Sequence, residues 1–566
     1  MTPSSDNLMR LKSALAATLF LACAFAPQAF AASDVPGGGI SPATLSQHIK
    51  TLASDEFEGR GPATPGEVKA VTYIVDQFKQ AGLQPGGDSH GPWGAWTQDV
   101  PLARFQVTGP IALSLTAGGA AQTLTQSQQV VVQTLLPVDR VSIVNAPLVF
   151  VGYGVKAPER RWDDYKGVDL HGKIAVVLIN DPDFEADLGG RFDGKAETYY
   201  GRWTYKYEEA ARQGALGMLI VHETGPASYG WNTVKNSNAN AQFDIVRDDP
   251  AKAHALLQGW IQRDVAVDLF RKSGLDFEAE KKAAQREDFR PVELKGASFS
   301  ADYGVDHSQI VTHNVIARIP GAARPGETVI YSAHWDHLGV GAPDATGHRI
   351  YNGAVDNASG VAALLEIGRV FSAGPAPQRS VVFIAVTSEE KGLLGSAYYA
   401  AHPVYPLATT VADLNMDVFG VHGLERNFTT SGQGQLTLLD DLIAEAKTRQ
   451  GRYFTPDPVP EAGHFFRADH FSFAKAGVPA LTIGPGYDLV NGGLAAGQAF
   501  EDDYVAHKYH QPADQWSADW DLSGEAQDAT LFYDLGLDLA NSGEWPKWKD
   551  GSEFKAARDA TEAARR

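Results

Sequence analysis

The feature that most restricts how this 566-residue chain can fold lies between Asn314 and about Leu535. There, short apolar runs alternate with helical segments, and acidic and histidine residues sit where the runs end. Thr328-Val329-Ile330-Tyr331-Ser332-Ala333 reads as a strand, followed by His334-Trp335-Asp336-His337. Ser380 to Thr387 has a buried-strand pattern, followed by Glu389-Glu390, and Thr410 to Met416 leads into Asp417. Gly353 to Gly360 reads as a turn carrying Asp356, with a helix from Val361 to Phe371. Strands alternating with helices predict the α/β class, a mixed, mostly parallel sheet flanked by helices. Ligands of such sheets gather outside the carboxyl ends of the strands.

The rest of the chain has other textures. From Ser41 to Ala81, Leu45, Ile49 and Leu52, then Val68, Val71, Ile74 and Phe78, recur at helical spacing around a polar turn, Asp55 to Gly61. A Gly- and Pro-rich stretch, Pro85 to Gly94, breaks the pattern. From about Leu136, β-like runs at Pro147–Gly154 and Gly172–Ile179, a helix at Lys206–Gly214 and a strand at Gly217–His222 suggest a separate, smaller module. Polar, irregular sequence from Gly225 to Asp249 and a charged run from Glu278 to Arg290 follow it. The tail after Glu544 reads as a peripheral helix or a frayed end. Expected boundaries are a signal peptide at 1–31, an N-terminal part of the main domain at 40–137, the module at 138–295, the main domain at 300–545 and a tail at 546–566.

The N-terminus reads as a processing segment. Arg10 and Lys12 precede an apolar run, Ser13 to Phe25, that is too short to span a bilayer, and Ala29-Phe30-Ala31 forms a small-x-small cleavage pattern. The protein is therefore expected to be exported, to the periplasm or beyond, with no stable membrane insertion after cleavage. Cys23 is the one cysteine, so the processed chain has no disulfide. Phe20-Leu21-Ala22-Cys23 matches a lipoprotein site poorly, since Phe stands where Leu is usual. A net charge of −20 argues against nucleic acid and anionic membranes as partners.

Three acids and two histidines from distant strand ends can meet above one sheet edge. Oxygen and imidazole donors in that mix suit zinc or a related divalent ion. Crowded carboxylates repel one another unless a cation or a shared proton holds them. At the adjacent pair Glu389-Glu390, neighbouring side chains point in different directions, so one can face a metal and the other the water it activates.

Six fragments in order resemble the co-catalytic di-zinc exopeptidases that include bacterial leucyl-type aminopeptidases, aminopeptidase Y and glutamate carboxypeptidase. They are Ala333–Gly339, Asn352–Gly360, Val386–Ser396, Asn415-Met416-Asp417, Arg467-Ala468-Asp469-His470 and Tyr509–Asp514. The resemblance implies an exopeptidase acting on peptides, most simply an aminopeptidase, with two zinc ions. His334 and Asp417 would hold one ion, Glu390 and His510 the other, and Asp356 would bridge them. Glu389 would be the general base, Asp336 would fix the His334 tautomer from behind, and a cis peptide would follow Asp356. His337, Arg467, Asp469 and His470 would have structural or pocket roles, and Asp514 a helix-capping one. Ala468 departs from the Ser common at that place, which touches only a peripheral hydrogen bond. The module, through Gly152-Tyr153-Gly154-Val155, Trp162–Tyr165, Gly172-Lys173-Ile174 and Gly214–Gly217, resembles the smaller, β-rich protease-associated (PA) domain often inserted in this family.

Other readings are weaker. A one-zinc glutaminyl cyclase does not need all five donors. A carboxypeptidase needs arginines aimed at a terminal carboxylate, for which Arg467 is one candidate. A non-catalytic, receptor-like relative would show a broken ligand set, and this set is intact. No Gly-x-Ser-x-Gly elbow, His-Glu-x-x-His helix or phosphate-binding loop is present.

Overall fold

A computed structural model describes residues 38–186, 188–431 and 435–565. The signal peptide and Cys23 expected from the sequence lie outside the described residues.

In chain order the elements that matter here are α1 (Pro42–Leu52), α2 (Pro65–Gln80), β1 (Thr97–Ala117), β2 (Arg140–Phe150), β3 (Ile174–Leu178), α3 (Trp203–Arg212), β4 (Gly217–His222), α4 (Trp231–Ser237) and β5 (Leu257–Gln262). They continue with β6 (Val292–Ile319), β7 (Arg324–His334), α5 (Gly360–Ala373), β8 (Arg379–Val386), β9 (Thr410–Met416), β10 (Ala480–Gly484), α6 (Gly493–His507) and α7 (Ser523–Asn541). Among the described residues, one mixed sheet of sixteen strands carries the molecule, with the run β10–β9–β7–β8–β6–β2–β3–β4–β5 at its heart. The neighbours β10, β9, β7 and β8 are parallel, as are β2, β3, β4 and β5, while β6 joins the two groups through antiparallel pairings on both sides.

The parallel strands are apolar throughout because helices cover both of their faces: every residue of β8 and β9 is buried. One core gathers α1, α2, α5 and α7 around β7 to β10. Helix α2 starts where Thr64 accepts the Gly66 N–H and Pro65 occupies the first turn, and it lays Val71, Ile74 and Phe78 inward. On the same face Tyr331 of β7 stacks, with centroids 5.4 Å apart, on Phe383 of β8, which Phe78 also touches, and the Tyr331 hydroxyl donates to the Phe532 carbonyl of α7 at 2.7 Å. Two further cores flank β2 to β5, one on each face.

Two stretches depart from the sequence reading. The polar region from Gly225 to Asp249 holds α4 and a strand at Gln242–Ile245 that pairs with β1. The charged run contains a helix at Phe277–Ala284, capped by Asp276 on the Ala279 N–H and burying Phe277, Lys281 and Ala284 at helical spacing. Its charges mask a narrow apolar stripe. A third difference is length. The strand expected to open at Asn314 begins at Val292, and alternate burial of Ala301, Tyr303 and Val305 shows one wet face along its first half.

Helix α7 lies so close to β7 that a Cβ at Gly536 would fall 1.7 Å from the Tyr331 hydroxyl. Gly536→Ala is expected to destabilise the fold by about 1–3 kcal/mol through overpacking. Thermal and denaturant unfolding of the variant check this, and an unchanged midpoint would refute it.

Candidate functional site

The site forms where the parallel strands stop. His334 is the last residue of β7 and sits beside Val386, the last of β8, while Asp417 follows the end of β9. Glu389 and Glu390 follow β8 after a left-handed turn at Ser388. Asp356 lies in the turn before α5, with the Asp356–Asn357 peptide cis. Asn357 ties that turn down, donating to the Met416 carbonyl at 2.9 Å and accepting the Gly360 N–H at 2.9 Å. Gly353 has a positive φ of 58°, and a Cβ there would lie 2.2 Å from the Asp356 carbonyl oxygen and 2.5 Å from His337 Cγ. His510 arrives from the loop after α6.

Asp356 is the centre. Its Oδ1 is 3.3 Å from His334 Nε2 and its Oδ2 is 3.3 Å from His510 Nε2. His334 Nε2 also lies 3.2 Å from Asp417 Oδ1, and His510 Nε2 lies 3.0 Å from Glu390 Oε2. Glu389 Oε2 is 3.8 Å from His334 Nε2. The structure thus brings together His334, Asp356, Glu389, Glu390, Asp417 and His510. It adds His337, whose Nδ1 is 2.5 Å from Glu390 Oε1. The expected role of Asp336 changes in its atoms. The partner of His334 Nδ1 is the Asp336 backbone carbonyl at 3.1 Å, while the carboxylate stands 3.8 Å away and accepts the Glu389 N–H at 3.0 Å.

Burial pushes the Glu389 carboxyl well above its ordinary range, with Asp417, Asp469 and Glu390 adding to the effect against His334. Burial also opposes charge on Asp356, but the hydrogen bonds with His334 and His510 hold it well below the usual carboxylate range. The same carboxylates outweigh burial at the histidines, so His334 is raised well above its ordinary value and His510 to about 9. Protons on the imidazoles thus balance the acids. Two groups of donors, His334–Asp356–Asp417 and His337–Asp356–Glu390, each place their ligand atoms within 4.8 Å of one another. Imidazole and carboxylate at that spacing fit zinc.

Comparison with known proteins agrees with this geometry. Residues 314–533 match the model of peptidase family M28. This segment is similar to that family. Over 106 residues, 19% of this chain and 22% of the relative, the chain is 35% identical to a "Probable zinc metalloprotease" of Pyrenophora teres f. teres (strain 0-1). Over 111 residues, 19% of this chain and 13% of the relative, it is 37% identical to "Aminopeptidase NAALADL1" of Mus musculus. The matches therefore span less than a quarter of either relative. The solved aminopeptidase from Aneurinibacillus sp. strain AM-1 shares the fold, with a TM-score of 0.52 and 20% identity over 89% of this chain and 95% of that one.

The site leans on residues the sequence reading passed over. Arg60 is fully buried and comes from the turn between α1 and α2. It donates to the carbonyls of Trp335 at 2.8 Å, Asn352 at 2.6 Å and Gly353 at 2.9 Å, pinning the His334 and Asp356 loops together. Asp514, read as a helix cap, instead accepts the N–H groups of Val355 at 3.0 Å and Asp356 at 3.1 Å. Asp469 and His470 are buried behind the site. Arg467 donates to Ser228 Oγ at 2.8 Å and lines a cleft that opens beside Glu389 and His510. The far wall of that cleft includes Tyr199, Arg202 and Tyr229.

Zinc takes neutral imidazole, so an ion held by His334 and His510 would displace the protons they carry. His510, raised to about 9, is protonated below that value, so zinc affinity is expected to rise from about pH 7 toward about pH 9 with net proton release. Calorimetric titration in buffers of different ionisation enthalpy measures the released protons. Zinc uptake without release would contradict the charge balance.

Proposed function

We propose that the chain is an exopeptidase that holds two zinc ions and removes residues from the free N-terminus of peptides. The observation that carries this reading is Asp356, which presents one oxygen to each of two donor groups. His334 and Asp417 would hold one ion, and Glu390 and His510, with His337 close by, the other. When bound, zinc supplies Lewis-acid polarisation of the substrate carbonyl and acidifies a water.

The chain's own residues do the rest. Glu389 stands free of both groups, with its backbone N–H anchored on the Asp336 carboxylate. Its raised proton affinity suits a carboxylate that takes a proton from the attacking water at one Oε and returns it to the departing amine. Asp336 therefore acts through Glu389 as much as through His334. The cleft next to these groups supports a substrate that enters end-on between the M28 segment and the module.

A carboxypeptidase is the second reading. Arg202 and Arg467 both line that cleft, and guanidinium groups recognise a terminal carboxylate. We further propose that the module of residues 138–295 is a PA domain and that the protein is exported after removal of residues 1–31. No helix among the described residues is long and apolar enough to cross a membrane.

Glu389→Gln is expected to keep bound zinc and lose turnover by about two to four orders of magnitude. Zinc analysis beside steady-state kinetics tests this, and full activity in the variant would remove Glu389 from its role. On matched peptides with free or blocked ends, the aminopeptidase reading expects hydrolysis only where the N-terminal amine is free. Cleavage of N-blocked peptides with a free carboxylate would select the carboxypeptidase.

A further inference from the structure

His510 comes from the M28 segment, but the groups that orient it do not. Its backbone has a positive φ of 55°, uncommon for a residue with a side chain. At the end of α4, in the module, Ser237 Oγ lies 2.8 Å from His510 Nδ1. The preceding residue, Asn236, is buried and donates its Nδ2 to the His510 carbonyl at 2.9 Å. Lys391, next to Glu390, donates Nζ to the Ser237 carbonyl at 3.0 Å. One helix end thus grips the ring and the backbone of His510 and is itself tied to the turn that carries Glu389 and Glu390.

We propose that Ser237 is a positioning residue for the metal centre, a part of the module that sets the tautomer and aim of His510. The proposal rests on the zinc reading above. Nε2 faces Asp356 and Glu390, so it must present a lone pair to a cation lying between them. Nδ1 must then carry the proton, and the hydroxyl oxygen of Ser237 is the acceptor within reach. Without that acceptor the imidazole is free to turn or to exchange tautomers, and each alternative aims an N–H or a C–H at the cation. Asn236 holds the main chain in the conformation that keeps the ring on Ser237.

The effect is confined to one half of the centre. At the other half the partner of His334 Nδ1 is the backbone carbonyl of Asp336, which lies inside the M28 segment and makes no use of the module. Ser237 therefore governs the Glu390–His510 half alone.

The test uses the full-length protein, with zinc affinity measured by chelator competition and the absorption spectrum recorded after loading with cobalt(II). Ser237→Ala is expected to weaken zinc binding about tenfold to a hundredfold, the range found when partners of metal-bound histidines are removed. The cobalt spectrum should change, and the melting temperature of the metal-free protein should not. Ser237→Thr, which keeps the hydroxyl, should restore affinity and spectrum. Wild-type affinity in Ser237→Ala would overturn the proposal and leave the zinc reading standing. A fall in metal-free stability with no rescue by Thr would mark Ser237 as structural and also overturn it. Wild-type protein that takes up no zinc would overturn both.

Discussion

The site depends on a crowd of negative charge that the fold must hold together. Asp356, Glu389, Glu390 and Asp417 converge on one mostly buried space, and two like charges about 4 Å apart repel by about 4 kcal/mol even at a moderate effective dielectric. The metal-free protein offsets this with protons on His334 and His510, and with the Arg60 guanidinium behind them. Burial costs Arg60 part of its proton affinity, lowering it to about 10, yet it stays charged, facing Asp356, Asp514, Asp336 and Glu390. The cluster is thus prepared for a cation by electrostatics as well as by shape.

Such a cluster needs a stiff frame, and the frame comes from three parts of the sequence. Strand ends, one turn and one loop within residues 314–533 supply the donor groups. The turn before α2 supplies Arg60, whose planar fork satisfies carbonyls from both ligand loops at once. Residues on the far side of the cleft supply its wall and the grip on His510. A backbone carbonyl with no donor is costly in a buried site, so Arg60 at once satisfies these loops and fixes their spacing.

Much of this was legible in the sequence because the donors follow unbroken apolar strands. His334, Glu390 and Asp417 could be placed at strand ends and Asp356 in a turn by pattern, while His510 came with the family resemblance alone. His337 was harder to assign, since an i, i+3 histidine beside a ligand is as often structural. Arg60 lies in a polar turn with no periodic signal, and its partners are carbonyls, which leave no trace in side-chain identity. The same holds for Asp514 on two N–H groups. Helix α4 was missed because its seven residues carry Trp231 and Val234 among polar neighbours, a stripe too short to register as a period. The part of β6 that precedes Asn314 alternates with charged and polar residues, as a strand with one wet face does, and so carries no continuous apolar run.

That strand has a mechanical consequence. β6 runs for 28 residues, pairing with β2 in its first part and with β8 in its last, while β1 follows it antiparallel for most of the way. The two halves of the molecule are therefore joined by a continuous ladder of main-chain hydrogen bonds rather than by a tether. Swinging one half against the other would have to shear or twist that ribbon, so opening of the cleft falls to the loops and side chains at its rim. Excising residues 138–295 would also remove β2 and clip the start of β6, baring the edge of β6 along its first part, an invitation to aggregate.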